Sequence, residues 1–115
     1  MESYKQLILE DGYKVGVWGL GYIGLSTAAY MAQRGVHCLG CDVNAERVDF
    51  VQRGEHFMPG MDYWLGFDFK PMVDDGHIQA TSNWRDLIHP RVLAHFIGVP
   101  TERDNEPYYA VSYTH

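Results

Sequence analysis

Basic residues are few and scattered: nine Lys and Arg stand against fifteen Asp and Glu, a formal net charge of −6. Without a cluster of positive charge the chain lacks the electrostatic footprint of a phosphate-backbone binder, so nucleic acid is not expected as a partner. Long apolar runs are missing as well. Gly, Arg or Asp interrupts each one well before the roughly 20 residues that a membrane-crossing helix needs. The opening MESYKQLILEDG carries acids where a secretory leader would carry bases. We therefore expect a soluble, cytoplasmic chain with no membrane partner. Cysteine is nearly absent, with only Cys38 and Cys41 in VHCLGCD. Their C-x-x-C spacing invites a redox or zinc reading. On a strand, however, side chains three positions apart point to opposite faces, so the two sulfurs could neither bridge nor share a metal. No second pair completes a zinc site. His37, His56, His77, His89, His95 and His115 offer no H-x-x-x-H spacing either, and no metal is expected.

What is present suffices for one globular domain: 115 residues, 46% of them hydrophobic and 14% aromatic, can bury a core. Residues 1–12 read as a short helix or a loose arm ending in the turn pair Asp11-Gly12. From Tyr13 the sequence KVGVWGLGYIGLSTAAYMAQRG reads as a strand over 14–18, a glycine turn, and a helix closed by Gly35. Ile23, Ala28, Met31 and Ala32 are expected to share its buried stripe. A second strand over 36–41 delivers Asp42, and a second helix follows with Asn44 as its N-cap and Gly54 at its end. Residues 55–75 are dense in aromatics but follow no period, and Pro59-Gly60 and Pro71 break them. We expect a loop there, a short helix near 62–67, and a mobile or partner-facing surface. Further strands are expected at 77–81 and 92–98, the latter running into Val99-Pro100-Thr101, with the start of an unfinished element in 102–115.

Gly19-Leu20-Gly21-Tyr22-Ile23-Gly24 is a G-x-G-x-x-G. Alone the pattern is weak, but here it follows a strand, opens a helix, and is followed eighteen residues after Gly24 by Asp42 at the end of the next strand. Gly19 permits the sharp turn, Gly21 lets a pyrophosphate approach the backbone, and Gly24 lets helix and strand pack closely. The unpaired amides and positive dipole end of the helix then face a diphosphate. Asp42 would accept hydrogen bonds from ribose hydroxyls and repel a 2′-phosphate, which favours NAD over NADP as the dinucleotide. The plain alternative for Asp42 is a turn acid or helix cap. Arg47, one turn into the second helix, can reach the adenine side by stacking or hydrogen bonding, unless it is a solvated surface arginine. Thr101 ends an apolar strand where ligands bind in open α/β sheets, its alternative being a turn threonine.

KVGVWGLGYIGLSTA, CDVNAERV, GHIQATSNW and HFIGVPT, in this order from Lys14 to Thr101, resemble the N-terminal NAD-binding domain of the UDP-glucose/GDP-mannose dehydrogenase family. These are nucleotide-sugar 6-dehydrogenases that make uronic acids for polysaccharide biosynthesis. The resemblance implies that Tyr22 and Ile23 lie over the diphosphate, that Arg47 sits beside the adenosine, and that Val99, Pro100 and Thr101 line the cofactor, with the threonine near the nicotinamide. It implies two hydride transfers from a sugar C6 alcohol to NAD through a thioester-type intermediate on a cysteine. By the same resemblance that cysteine, its lysine and asparagine partners and the sugar-nucleotide domain lie beyond His115. Residues 1–115 are then a partial, catalytically incomplete domain without catalytic residues, and the nucleotide sugar is a partner of a full-length enzyme only. The alternative is a stand-alone NAD-binding or sensing module. Two positions depart from the family's habit: Met58 precedes Pro59-Gly60 where an acid is usual, and Glu102 follows V-P-T where proline is frequent.

The expected fold is an α/β, Rossmann-type, doubly wound parallel sheet, truncated, with strand order 3-2-1-4. Its fourth strand would have an uncovered edge, so a homo-oligomer is expected, formed through that edge or through the aromatic 57–69 segment.

Overall fold

The computed structural model describes residues 12–56, 58 and 60–98, together with Gln6 and Leu9. The expectations for most of the N-terminal arm and for the tail from Val99 onward lie outside the described residues. Four strands, β1 (Lys14–Trp18), β2 (His37–Cys41), β3 (Ile78–Thr81) and β4 (Val92–Ile97), form one parallel sheet in the order β3-β2-β1-β4, as expected. Between them run α1 (Tyr22–Gln33), α2 (Ala45–Gln52), α3 (Met61–Leu65) and α4 (Lys70–Asp74), and a 3₁₀ turn at Trp84–Leu87 precedes β4.

The register explains which side chains meet. Val15 pairs with Cys38 and Cys38 with Ile78, so these three share one face of the sheet. Against that face α1 lays Leu25, Ala28, Ala29 and Ala32, and α2 lays Val48 and Val51. The three small alanines let α1 approach the strands closely. Gly16 and Trp18 point to the opposite face, where Leu87 of the 3₁₀ turn is buried.

Helix ends follow their sequence signals. Asn44 caps α2 by accepting hydrogen bonds from the amides of Glu46 (2.9 Å) and Arg47 (3.2 Å). Gly35, at φ 92°, closes α1 with the paired bonds Gly35 N to Ala32 O (2.9 Å) and Val36 N to Met31 O (3.0 Å). Gly54 closes α2 in the same way.

Three expectations require correction. Ile23 is not on the buried stripe of α1 but 47% exposed. At about 100° per residue it lies roughly opposite Leu25, and Leu25, through the small residues at i+3, i+4 and i+7, is what faces the sheet. The 57–69 segment is also less outward than expected. Met58, Met61, Leu65 and Phe69 are core residues, while Tyr63 and Trp64 point outward. Pro71 does not break this region; it occupies the first turn of α4, where a missing amide costs nothing because helical pairing has not yet begun.

Candidate functional site

The carboxyl ends of the strands open onto a cleft of ≈ 660 Å³. Its lining runs in the order of the sheet: Ile97 at the end of β4 and Gly98 after it, Trp18 and Gly19 at the end of β1, Cys41 and Asp42 at the end of β2, and Trp84 after β3. Gly21, Tyr22, Ile23 and Gly24 form the helix side, and Val43, Asn44 and Arg47 complete the wall beside Asp42.

The three glycines of the turn have different surroundings. Gly19 has φ 103°, and a Cβ there would collide with the carbonyl oxygen of Gly98. A Cβ on Gly24 would collide with the carbonyl oxygen of Gly19. Both positions are therefore fixed by backbone meeting backbone, reinforced by Gly19 N donating to Cys41 O (2.7 Å) and Gly98 N to Trp18 O (2.8 Å). Gly21 is the exception. Its φ is −80°, and a Cβ would meet only the Nη1 of Arg47, at 3.5 Å, among the described residues. Nothing in the protein itself requires that position to lack a side chain; the room it leaves belongs to the cleft.

Helix α1 starts at that point with no side-chain cap and no acid in its first turn. Its first described intrahelical bond runs from Leu25 N to Gly21 O (2.9 Å), so the amides of Ile23 and Gly24 come before the helical ladder, at the cleft wall. Amides and dipole together make this end of the helix receptive to an anion.

Asp42 is only 7% exposed. One carboxylate oxygen accepts the Leu20 amide (2.8 Å) and the other the Asn44 amide (2.8 Å), while Arg47 Nη1 lies 3.5 Å from the former. The side chain thus clamps the glycine turn to the end of β2. A carboxylate has about four acceptor positions; the two amides and Arg47 take three, so one remains for a hydroxyl group of a ligand. The nearby thiols are poor nucleophiles. Burial pushes the Cys38 thiol up to about 12, and burial, then Asp42 and Asp86, also raise that of Cys41. Trp18 Nε1 donates to His95 Nδ1 (2.9 Å), which fixes the indole at the end of β1. The ring of Tyr22 packs against Trp64 of α3, with centroids 5.4 Å apart.

Of the residues singled out from the sequence, Gly19, Gly21, Tyr22, Ile23, Gly24, Asp42 and Arg47 all line this one cleft. Val99, Pro100 and Thr101 lie outside the described residues, although Ile97 and Gly98, which lead into them, line it. Trp18, Val43, Asn44 and Trp84 were not singled out as site residues. The signal for Trp18 and Trp84 was available: ligands of open α/β sheets sit beyond the carboxyl ends of the strands, so the residue that ends or follows each strand is a candidate.

Comparisons with known proteins bear on this cleft. Residues 13–114 match the UDP-glucose/GDP-mannose dehydrogenase family, NAD binding domain. The UDP-N-acetyl-D-mannosamine dehydrogenase of Campylobacter jejuni is 39% identical over 90 residues, which cover 76% of this chain and 20% of that protein. The corresponding enzyme of Salmonella typhimurium is 37% identical over 95 residues, covering 81% and 21%. Among solved structures, the UDP-D-ManNAc dehydrogenase from Pyrococcus horikoshii superposes with a TM-score of 0.66 at 27% identity, over 88% of this chain and 23% of that one. The chain spans about a fifth of the length of the curated relatives it matches.

Proposed function

This chain belongs to the UDP-glucose/GDP-mannose dehydrogenase family and carries its NAD-binding domain, and from that premise we propose that the cleft at the strand ends holds NAD for a nucleotide-sugar 6-dehydrogenase. The observation that carries this reading is Gly21, a side-chain-free position whose missing Cβ the protein does not need and whose space opens into the cleft. The amides at the start of α1 take the diphosphate, with Gly19 and Gly24 shaping the turn and Tyr22 and Ile23 flanking it. Asp42 accepts an adenosine ribose hydroxyl on its remaining lone pair and excludes a 2′-phosphate by charge, so NAD is preferred to NADP. Arg47, beside Asp42, borders the adenosine. Val99, Pro100 and Thr101, which follow β4 in the sequence, are assigned to the nicotinamide end by the family resemblance alone.

When bound, NAD supplies the hydride acceptor for oxidation of a sugar C6 alcohol to a uronate. The residues of this chain bind and orient it, and none of them is assigned a catalytic step. The names of the relatives support a UDP-N-acetyl-D-mannosamine type of substrate for the enzyme as a whole. No described helix is long and apolar enough to cross a membrane. The free thiols of Cys38 and Cys41 suit a reducing compartment, and we place the protein in the cytoplasm.

Titration of the chain with NADH and NADPH, read by energy transfer from Trp18 and Trp84 in the cleft, tests the reading. Saturable transfer with NADH and a much weaker response with NADPH is expected; equal or stronger binding of NADPH overturns the role of Asp42. We further infer that copies associate through the outer edge of β4, which among the described residues pairs only with β1 and exposes Ile97. Light scattering at rising concentration should show a growing mass, and a constant monomer mass refutes this.

A further inference from the structure

Resting on the NAD reading above, we propose that Trp84 is the stacking wall of the adenine subsite. The lining follows the sheet, so the cleft has a direction: β4, β1, β2, then β3. With the diphosphate over the glycine turn at the end of β1 and the ribose at Asp42 on β2, the base falls one strand further on. Neighbouring strands are about 4.8 Å apart, the reach of a base attached directly to that ribose. Trp84, in the turn after β3, is the cleft residue that stands there.

Its setting fits that task. The indole is 50% exposed although it lines a cleft, and the guanidinium carbon of Arg85 lies over its ring, 4.7 Å from the centroid. One face is thus backed by a cation, and a planar base on the other would complete a three-layer stack. The turn that carries Trp84 is held at both ends. Thr81 Oγ1 donates to Asp86 (2.6 Å) and accepts from Asn83 N (3.0 Å), the Asn83 side chain caps the turn at Arg85 N (3.1 Å), and Leu87 is buried beneath it. The indole is therefore presented by a fixed support. Val43, directly after Asp42 and 99% exposed, gives the same end of the cleft a second apolar side chain.

The test compares the 115-residue chain with Trp84→Ala and Trp84→Phe by titration calorimetry with NAD, ADP and nicotinamide mononucleotide, which has no adenine. Trp84→Ala should weaken NAD and ADP alike by about tenfold, within the range measured for loss of one base–aromatic stack. It should leave the mononucleotide unchanged, and Trp84→Phe should restore most of the loss. Equal NAD and ADP affinities in parent and Trp84→Ala, at unchanged Tm, overturn the proposal. So does a loss shared by the mononucleotide. A parent chain that binds neither NAD nor ADP overturns the cofactor reading itself, and this subsite with it.

Discussion

Replacing Gly21 with valine separates what the fold needs from what the ligand needs. The backbone there has φ −80°, an ordinary value for any residue, and the nearest atom to an added Cβ is the tip of a flexible arginine at 3.5 Å. The structural cost is then that of a poorer N-cap, about 1 kcal/mol, or a Tm lower by about 5 °C in a domain of this size. The effect on binding is larger, because the valine methyls occupy the space through which the diphosphate reaches the amides of α1. Loss of two charge-assisted hydrogen bonds at about 1.5–3 kcal/mol each weakens NADH by at least about a hundredfold. The companion variant Gly24→Ala should behave in the opposite sense. Its Cβ runs into the carbonyl oxygen of Gly19, a backbone atom that cannot step aside, so the cooperative melt itself should be lost or strongly lowered. Thermal melts by circular dichroism and NADH titration by energy transfer measure both quantities. Near-parental NADH affinity in Gly21→Val, or a collapse of its Tm like that of Gly24→Ala, refutes the reasoning.

Further outcomes follow from the same structure. Asp42→Asn offers one acceptor oxygen where two amides, of Leu20 and Asn44, now find two. It should lower stability by about 1–3 kcal/mol and shrink the preference for NADH over NADPH, and a parent-like preference measured by titration argues against a ribose role. His37 stacks on His77 at 4.1 Å, and burial, then His77 and Lys14, hold its pKa below the ordinary 6.5, with Asp75 opposing. The unfolded chain therefore takes up this proton more readily than the folded one, so stability is full above about pH 6.5 and declines as the pH falls toward the lowered folded value. His37→Gln should flatten the dependence of Tm on pH between 7 and 5; an unchanged slope assigns that dependence to other groups.

The parts of the fold that the sequence announces are those fixed by local chemistry. Gly35, Asn44 and Gly54 mark helix ends through bonds made within a few residues, and they end the helices as expected. The strand order follows from the glycine turn and the crossovers it implies. The outward place of Ile23 is not legible in the sequence because both phases of α1 offer apolar residues, and only contact with the sheet decides between them. Residues 57–69 are opaque for a related reason: Met61 and Leu65 enter the core from the five-residue α3 and Phe69 from the cap position before α4, too few in any one element to set a period. Within the cleft, Gly19 to Gly24 and Asp42 were legible from spacing. Trp84 is legible only through the strand order, which sets the end of β3 next to that of β2.

The clamp made by Asp42 couples two properties that a protein engineer would prefer to vary one at a time. The carboxylate to which we assign discrimination between coenzymes also tethers the peptide N–H groups of Leu20 and Asn44. Converting the domain to a phosphorylated coenzyme by the usual exchange of acid for a small neutral residue would release both tethers and loosen the hinge between turn and strand. A successful conversion has to bring new acceptors for those two amides along with the new charge, so it calls for redesign of a whole corner rather than of one side chain.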